Sequence, residues 1–342
     1  MKITLISYDY FGYDKHIVTE LQKRNIKTTH IDLNKHHFEY FNKFEKFLNF
    51  FSKLFFKRNS KEIAIKNYIL KALNENGIQD KILVIRPDLI SKKTHLKIKK
   101  KTNEYICYLY DSCNRFKVKH LFKGIFDRIY SYDLNDSNTY NLIPITNYMY
   151  FDKKKDTYKK TKYDAFIVIS PDERLSILNK IAVEFEKINL NFKFIIVCPN
   201  RPKNLHPKIE HITTKISTNE VLILMKKSSV VIDLVRDNHF GLSFRIFEAL
   251  ALEKKIITTN KFIEKYDFNN PNNILVVEEN FLKFSKDFFI TPYEPIVYDI
   301  FKKYTISNWV DKVFILWKIF WINLFNENFK ILDTNGFNWA GF

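Results

Sequence analysis

The chain has 342 residues, with 56 lysines and arginines against 38 aspartates and glutamates, and a formal net charge of +18. This length suggests two domains, and a chain of this size buries enough surface to fold without disulfide or metal cross-links. Its three cysteines are an odd number without metal-ligand spacing, which argues against a disulfide framework and a zinc site and favours a reducing compartment. The 33 phenylalanines and six glycines exclude collagen-like, low-complexity and disordered classes.

The positive charge has several explanations. Lysine is abundant together with asparagine, isoleucine, phenylalanine and tyrosine, all of which have AT-rich codons, so codon bias is one explanation. The others are contact with nucleic acid, with an anionic membrane surface or with anionic ligands.

We expect a cytoplasmic location. Asp9 and Asp14 stand where a signal peptide has apolar and small residues. The longest apolar stretch near the end, 313–325, is interrupted by Lys318 and Asn323 and is shorter than the ~20 residues of a membrane-spanning helix.

Strand and helix patterns alternate in the first 150 residues. Short apolar runs predict strands at 2–7, 27–31, 82–85, 105–109 and 128–132, with a helix at about 13–24 after the first. Strands separated by helices predict parallel pairing through right-handed crossovers.

A lysine-rich segment, 153–162, has almost nothing apolar and is predicted to be a linker. The alternation then restarts, with strands at 164–169, 193–198, 229–234, 255–258 and 274–277 and helices at 172–188, 218–228 and 243–252. Ser217 and Glu220 form a predicted capping box. We therefore predict two doubly wound α/β domains, 1–152 and 163–292, that face a cleft, and a helical tail, 293–342, with Trp309, Trp317 and Trp321 at near-helical spacing.

Gly12 and Gly241 each fall between a predicted strand and the next helix. At the carboxyl end of a parallel strand, glycine permits a positive φ or close approach to a ligand, although a plain turn would also use it. The chain has neither G-x-G-x-x-G nor a P-loop. Arg245 and Glu248 lie three residues apart on one predicted helix face beside Ser243, which suits a nucleoside diphosphate and its ribose. The alternative is an intrahelical ion pair.

The segment 233–260 reads D-x7-G-L-S-x-R-x-x-E-A-L, followed by K-K-I-I-T-T-N. This pattern resembles bacterial GT-B glycosyltransferases of lipopolysaccharide and capsule biosynthesis. Weaker resemblances follow in order at 108–112 (YLYDS), 126–136, 142–144, 164–174 and 304–309. The resemblance implies two facing Rossmann-like domains, a nucleotide-sugar donor mainly on the second, an acceptor on the first, and a C-terminal helix that crosses back.

The resemblance also implies site residues. The implied donor contacts are Arg174, Gly241, Ser243, Arg245 and Glu248, and the implied acceptor side is Asp9, Tyr10 and Gly12. Asp111 is the candidate general base or ligand of the acceptor hydroxyl, unless it caps a short helix at 112–116. His239 would reach the sugar or the phosphate, and Arg174 would face the diphosphate, unless either is an ordinary surface residue.

The chain departs from the family at two places. Many retaining members carry two glutamates eight residues apart, but Phe240 occupies the first position here, which leaves the stereochemistry open and keeps a non-catalytic GT-B scaffold as an alternative. Ile169 and Ser170 stand where a glycine is usual. No Asp-x-Asp is present and no metal is expected, because arginines and helix dipoles would offset the leaving diphosphate.

A further amphipathic pattern covers 40–57. Phenylalanines and leucines fill one half of its helical wheel, and polar residues with Lys46, Lys53 and Lys57 fill the other. This pattern favours one of two roles: the helix contacts the anionic inner face of the membrane, or it packs on the first sheet.

The predicted partners are a nucleotide-sugar and a glycan or lipid-linked glycan acceptor. A nucleic-acid-binding protein is the alternative from another class, but the lysines are dispersed and no RRM, KH or helix-turn-helix pattern is present, so no nucleic-acid partner is expected.

Overall fold

The computed structural model describes residues 1–36, 59–152 and 161–316. The predicted helix at 40–57, most of the predicted linker at 153–162, and Trp317 and Trp321 lie outside these residues. The division of the chain at 153–162 therefore stays a prediction. Across the three described ranges, no helix is both long and apolar enough to cross a bilayer.

The first sheet has six parallel strands. They are β1 (Lys2–Ser7), β2 (Lys27–Asp32), β3 (Gln79–Ile85), β4 (Thr102–Leu109), β5 (Arg128–Ser131) and β6 (Ile143–Pro144). Their order is β2-β1-β3-β4-β5-β6. The helices of this region are α1 (Asp14–Lys23), α2 (Ser60–Asn76), α3 (Lys92–Lys99) and α4 (Leu134–Tyr140).

The second sheet is also parallel and six-stranded. Its strands are β7 (Tyr163–Ile169), β8 (Phe192–Val197), β9 (Glu210–Ile212), β10 (Ser228–Asp233), β11 (Lys255–Thr258) and β12 (Ile274–Val276). Its helices are α5 (Leu175–Lys187), α6 (Thr218–Lys226) and α7 (Phe244–Ala251). The strand order β12-β11-β10-β7-β8-β9 is that of a dinucleotide-binding domain, with its switch point between β7 and β10.

Both sheets are covered on both faces. Along β7, Phe166 and Val168 pack into one apolar cluster, whereas Ala165 and Ile167 pack into the cluster on the opposite face. This is why the strand is a continuous apolar run, as expected of a buried parallel strand.

The last helices are α8 (Lys286–Ile290), α9 (Tyr298–Lys303) and α10 (Ile306–Phe314). The α10 residues Trp309 and Val310 pack in the same apolar cluster as Ile3 of the first sheet. Arg24, which follows the last residue of α1, also binds Asp311 at 2.5 Å. The C-terminal helix therefore crosses back to the first domain.

Comparison with the sequence analysis confirms the parallel alternation and the capping box of Ser217 with Glu220. The helix predicted at 172–188 is present as Leu175–Lys187. It begins later than predicted because Asp172 accepts a bond from the Arg174 backbone N–H in a turn. The alternative that Asp111 caps a short helix at 112–116 is wrong, because these residues form turns and Asp111 accepts a bond from the neighbouring Ser112 N–H.

Candidate active site

A cavity of about 470 Å³ lies where the carboxyl ends of the two sheets face each other. Its lining includes these predicted site residues: Asp9, Tyr10, Asp111, Arg174, His239, Gly241, Ser243, Arg245 and Glu248. Gly12 is not among them and lines a neighbouring cavity of about 400 Å³. The structure thus brings all but one of the predicted residues to a single cleft.

Two arginines are held side by side at the switch point of the second sheet. The Asp172 carboxylate accepts bonds from Arg174 Nε at 2.7 Å and Nη2 at 2.6 Å, and from Arg236 Nε at 3.0 Å. Although burial opposes the shift, these bonds lower the pKa of Asp172. Arg174 also donates to the Leu234 carbonyl at 3.2 Å, which ties it to the end of β10. Sequence reasoning missed Arg236, which lies in the polar loop after that strand.

The start of α7 adds a third cation. Arg245 donates from Nη1 to the Val168 carbonyl of β7 at 3.0 Å, so the side chain crosses the switch point. Ser243 takes the N-cap position but donates its hydroxyl to Asp233 Oδ1 at 2.6 Å. The predicted cation is therefore at the cleft, while the hydroxyl proton of Ser243 is engaged by β10.

Glu248 is buried within α7, with 2% of its surface exposed. Its Oε1 accepts bonds from the first domain, from Tyr150 Oη at 2.5 Å and Tyr13 Oη at 3.2 Å. Burial raises the pKa of Glu248, against the opposing effect of the Tyr150 hydroxyl. This carboxylate thus joins the two domains across the cleft.

Gly241 owes its place to close packing. Its φ is not positive, unlike that of Gly12, where φ is +78°. A Cβ at 241 would lie 2.4 Å from the ring of Tyr132, which follows β5 of the first domain. The expectation of close approach is confirmed, but the group that approaches is a protein side chain.

Asp111 and His239 also meet across the cleft. His239 Nδ1 lies 3.5 Å from Asp111 Oδ1 and 3.4 Å from Tyr132 Oη. Burial lowers the pKa of His239, against the pull of Asp111, so the ring is neutral at neutral pH. Asp111 is also paired with Arg115 at 2.5 Å, so its carboxylate already has a cationic partner within the first domain.

The segment after β1 forms the remaining wall. Asp9 accepts bonds from the backbone N–H groups of Asp14 at 3.1 Å and Lys15 at 3.0 Å, so its carboxylate caps α1. The Tyr10 ring lies 3.5 Å from the Lys215 ammonium of the second domain. Asp9 and Tyr10, two of the three predicted acceptor-side residues, thus line the cleft and also make contacts within the protein.

Asp14, the first residue of α1, is a further cleft residue that the sequence analysis does not predict. It lines the cleft and is 5% exposed. Burial, and then the neighbouring Asp9, raise the pKa of Asp14 to about 8, against the effect of a bond from Ser7. The Ser7 hydroxyl is also 2.9 Å from His30 Nε2. The sequence could have indicated Asp14 as a site residue, since it stands two residues after Gly12, at the end of the loop that joins the first strand to the first helix.

Charges of both signs line the cleft. The second domain supplies Arg174, Arg236 and Arg245, which suit phosphate oxygens, and also Asp233 and Glu248. The first domain supplies three carboxylates, Asp9, Asp14 and Asp111, and one arginine, Arg115. Within residues 1–36, 59–152 and 161–316, no group of three or more histidine, cysteine or acidic side chains is placed to hold a metal ion.

Solved structures share the fold of this chain. An alpha-glucosyltransferase in complex with UDP and a 13-mer DNA containing a HMU base aligns with 91% of this chain and 90% of its own, at 12% identity and a TM-score of 0.54. The chain has a GT-B-like fold. An alpha-glucosyltransferase in complex with UDP aligns with 79% of this chain and 84% of its own, at 12% identity and a TM-score of 0.51.

A UDP-GlcNAc 2-epimerase from Neisseria meningitidis is also similar, over 92% of this chain and 98% of its own, at 12% identity and a TM-score of 0.48. No protein-family model matches the chain, and no curated protein matches it by sequence. The GT-B-like fold of two Rossmann-like domains is therefore established by the tertiary structure.

Proposed function

We propose that this chain is a glycosyltransferase that moves a sugar from a nucleoside-diphosphate sugar to a hydroxyl of a bacterial surface glycan. The carrying observation is the pair Arg174 and Arg236, which Asp172 holds together at the switch point, with Arg245 beside them. Open α/β sheets bind ligands at this point, and three guanidinium groups match a diphosphate. The GT-B-like fold supports the same ligand class.

The donor would lie against the second domain. Its phosphates would be bound by Arg174, Arg236 and Arg245. Glu248 would accept a hydrogen bond from a hydroxyl of the nucleotide-sugar, and this bond would replace one that Glu248 now accepts from a tyrosine. As the bond from the anomeric carbon to the phosphate oxygen breaks, the arginines stabilise the charge that develops on the diphosphate. We therefore propose that the reaction proceeds without a metal.

The acceptor would lie against the first domain. We propose that Asp14 takes the proton of the acceptor hydroxyl as the hydroxyl oxygen bonds to the anomeric carbon, since Asp14 is a buried carboxylate with a raised pKa at the cleft, whereas Asp111 is already paired with Arg115. Asp111 would instead orient His239 toward the sugar. Attack from the wall opposite the arginines predicts inversion at the anomeric carbon, which NMR of the product would test.

Ligand binding is tested first. Two of the solved structures hold UDP, so UDP heads a thermal-shift series with GDP, ADP, dTDP and CMP, in which a ligand of the folded state raises the melting temperature. We expect saturable stabilisation by one nucleoside diphosphate. No stabilisation by any of them would overturn the proposal, whereas binding without turnover of any nucleotide-sugar would leave the non-catalytic scaffold.

The acceptor is tested separately. Transfer of a radiolabelled sugar is measured in parallel to three candidate acceptors: lipid-linked oligosaccharides, soluble glycans and duplex DNA. Incorporation into glycan supports the proposal. Incorporation into DNA, the polymer held by one of the similar structures, would overturn the surface-glycan acceptor while retaining glycosyl transfer.

Location is a further part of the proposal: the enzyme works in the cytoplasm at the inner face of the membrane. Residues 40–57 lie outside the described residues, and their basic amphipathic pattern supports contact with anionic lipid. Replacement of Lys46, Lys53 and Lys57 by glutamate should release the protein from anionic vesicles without unfolding it. Unchanged vesicle binding would contradict this contact.

A further inference from the structure

A second cavity, of about 680 Å³, lies beside the crossing C-terminal helix. One wall is the edge of the first sheet, at Arg128, Tyr130 and 143–147, and the other is formed by Lys265, Tyr266 and the segment 303–315. Its volume is that of an ordinary small-molecule site.

This cavity is separate from the cleft. Asn147 lines both, and its side chain is hydrogen-bonded at both its oxygen and its nitrogen. Its Oδ1 accepts a bond from Tyr108 Oη at 2.5 Å, and its Nδ2 donates to the Leu242 carbonyl at 2.9 Å. Asn147 thus stands as a fixed partition, and the arginines of the cleft do not serve the second cavity.

The walls of the second cavity are largely apolar, although their tyrosine and tryptophan side chains carry polar hydrogens. Trp309 donates its Nε1 hydrogen to the Thr146 carbonyl at 3.1 Å, and Tyr130 donates its hydroxyl hydrogen to the Lys312 carbonyl at 3.1 Å. Tyr304 donates to Asp267 at 2.6 Å. Because the protein already takes these polar hydrogens, the rings offer mainly carbon surface, to which Ile143, 39% exposed at the sheet edge, is added.

The charge of the lining is of one sign. Its cations are Arg128, Lys265, Lys303 and Lys312, and no carboxylate is among the described residues that line it. Arg128 is paired with Glu104, and Lys303 with Asp267. Lys265 and Lys312 are exposed, and neither forms an ion pair with a carboxylate in the described parts of the chain. Two uncompensated cations therefore border an apolar cavity.

We propose that this second cavity binds an anionic amphiphile, with its phosphate-like head at Lys265 and Lys312 and its apolar chain against Ile143, Tyr130 and Trp309. A lysine ammonium attracts phosphate as a point charge. Burial of the ligand's apolar chain favours binding because it removes apolar surface from water. The site does not depend on glycosyl transfer. The walls of the second cavity come from both domains, so ligand binding there would be coupled to the relative arrangement of the two domains.

The probe is dodecyl phosphate, titrated below its micelle concentration against the full-length protein by isothermal calorimetry. We expect saturable binding that falls about tenfold or more in the double variant Lys265→Glu/Lys312→Glu. The matched control is Lys92→Glu/Lys97→Glu, two exposed lysines on α3 with the same change of net charge, which should keep wild-type affinity. UDP binding in the cleft should be unchanged in both.

Two further ligands test each half of the proposal. Dodecyl maltoside has the chain without the charge, and inorganic phosphate has the charge without the chain, so each should bind at least tenfold more weakly. Equal binding of the maltoside would overturn the anionic head, and equal binding of phosphate would overturn the apolar chain. Absence of saturable dodecyl phosphate binding, or equal loss in the control variant, would overturn the site.

Discussion

Tyr132 of the first domain packs against Gly241 of the second so closely that a methyl group at position 241 would lie 2.4 Å from its ring. A Cβ atom does not approach another heavy atom this closely in proteins. Any side chain at 241 must therefore move the ring or separate the two domains at this point. Gly241 is therefore required for the closed cleft, in which His239 reaches Asp111 and Tyr132.

Gly241→Ala is expected to slow sugar transfer by about tenfold or more, since misplacement of reacting groups by about 1 Å is costly. Small-angle scattering should show a larger radius of gyration, while UDP still binds to the second domain. The double variant Gly241→Ala/Tyr132→Ala removes the clash and should return the radius to that of the wild type. A single variant as compact and active as the wild type would contradict the role of this contact.

If the proposed function is right, Arg245→Ala would remove a charge-assisted bond that strengthens as the diphosphate leaves. We expect transfer to slow by roughly 10²–10³-fold, with weaker nucleotide binding in the thermal-shift assay. Arg201→Ala, which changes an exposed arginine outside the cleft, is the matched control and should leave both unchanged. Preserved nucleotide affinity in Arg245→Ala would argue that this side chain only ties α7 to the Val168 carbonyl.

Glu248→Gln keeps the shape of the side chain but removes its charge. Donor affinity should fall by about ten- to a hundredfold, because hydrogen bonds to a charged acceptor are the stronger ones. The melting temperature should not fall, since a neutral amide avoids the cost of burying a carboxylate. The exposed Glu264→Gln is the control. Loss of melting temperature with intact donor affinity would instead indicate a purely structural contact with Tyr13 and Tyr150.

Asp14→Asn tests the buried acid through pH. The pKa of Asp14 is about 8 in the folded protein against an ordinary value of 3.8. Between these values the folded state holds a proton that the unfolded state has released, so the wild type loses stability relative to the variant as pH rises, by up to about 1.4 kcal/mol per unit. Transfer by the wild type should increase from pH 6 to 8, and the variant should be nearly inactive.

Chemical denaturation at pH 5 and pH 8 measures this difference. Asp9, Asp32 and, through Ser7, His30 face the same carboxylate, and burial lowers the pKa of His30. Their own titrations are present in both proteins and largely cancel in the comparison. Asp237→Asn, at an exposed loop position, is the control. A stability gap that does not widen with pH would show that Asp14 is ionised in the folded protein.

The individual strands and the capping box were predictable because each is encoded by residues near one another in the sequence. Apolar runs such as that of β7 indicate a buried strand wherever it is placed, and Ser217 meets Glu220 within one turn. The same reasoning led to Arg245 and Glu248, since strand ends followed by helices mark the ligand edge of a parallel sheet.

The partners of these side chains were decided only by the tertiary structure. Glu248 meets Tyr13 across 235 residues of sequence, and His239 meets Tyr132 across 107. Burial of Asp14 likewise depends on tertiary packing, because residues distant in the sequence, such as Asp32 and Tyr148, surround it. Local sequence determined which residues line the edges of the two sheets, whereas packing of the two domains decided which of them are paired, which are buried and which carry a shifted pKa.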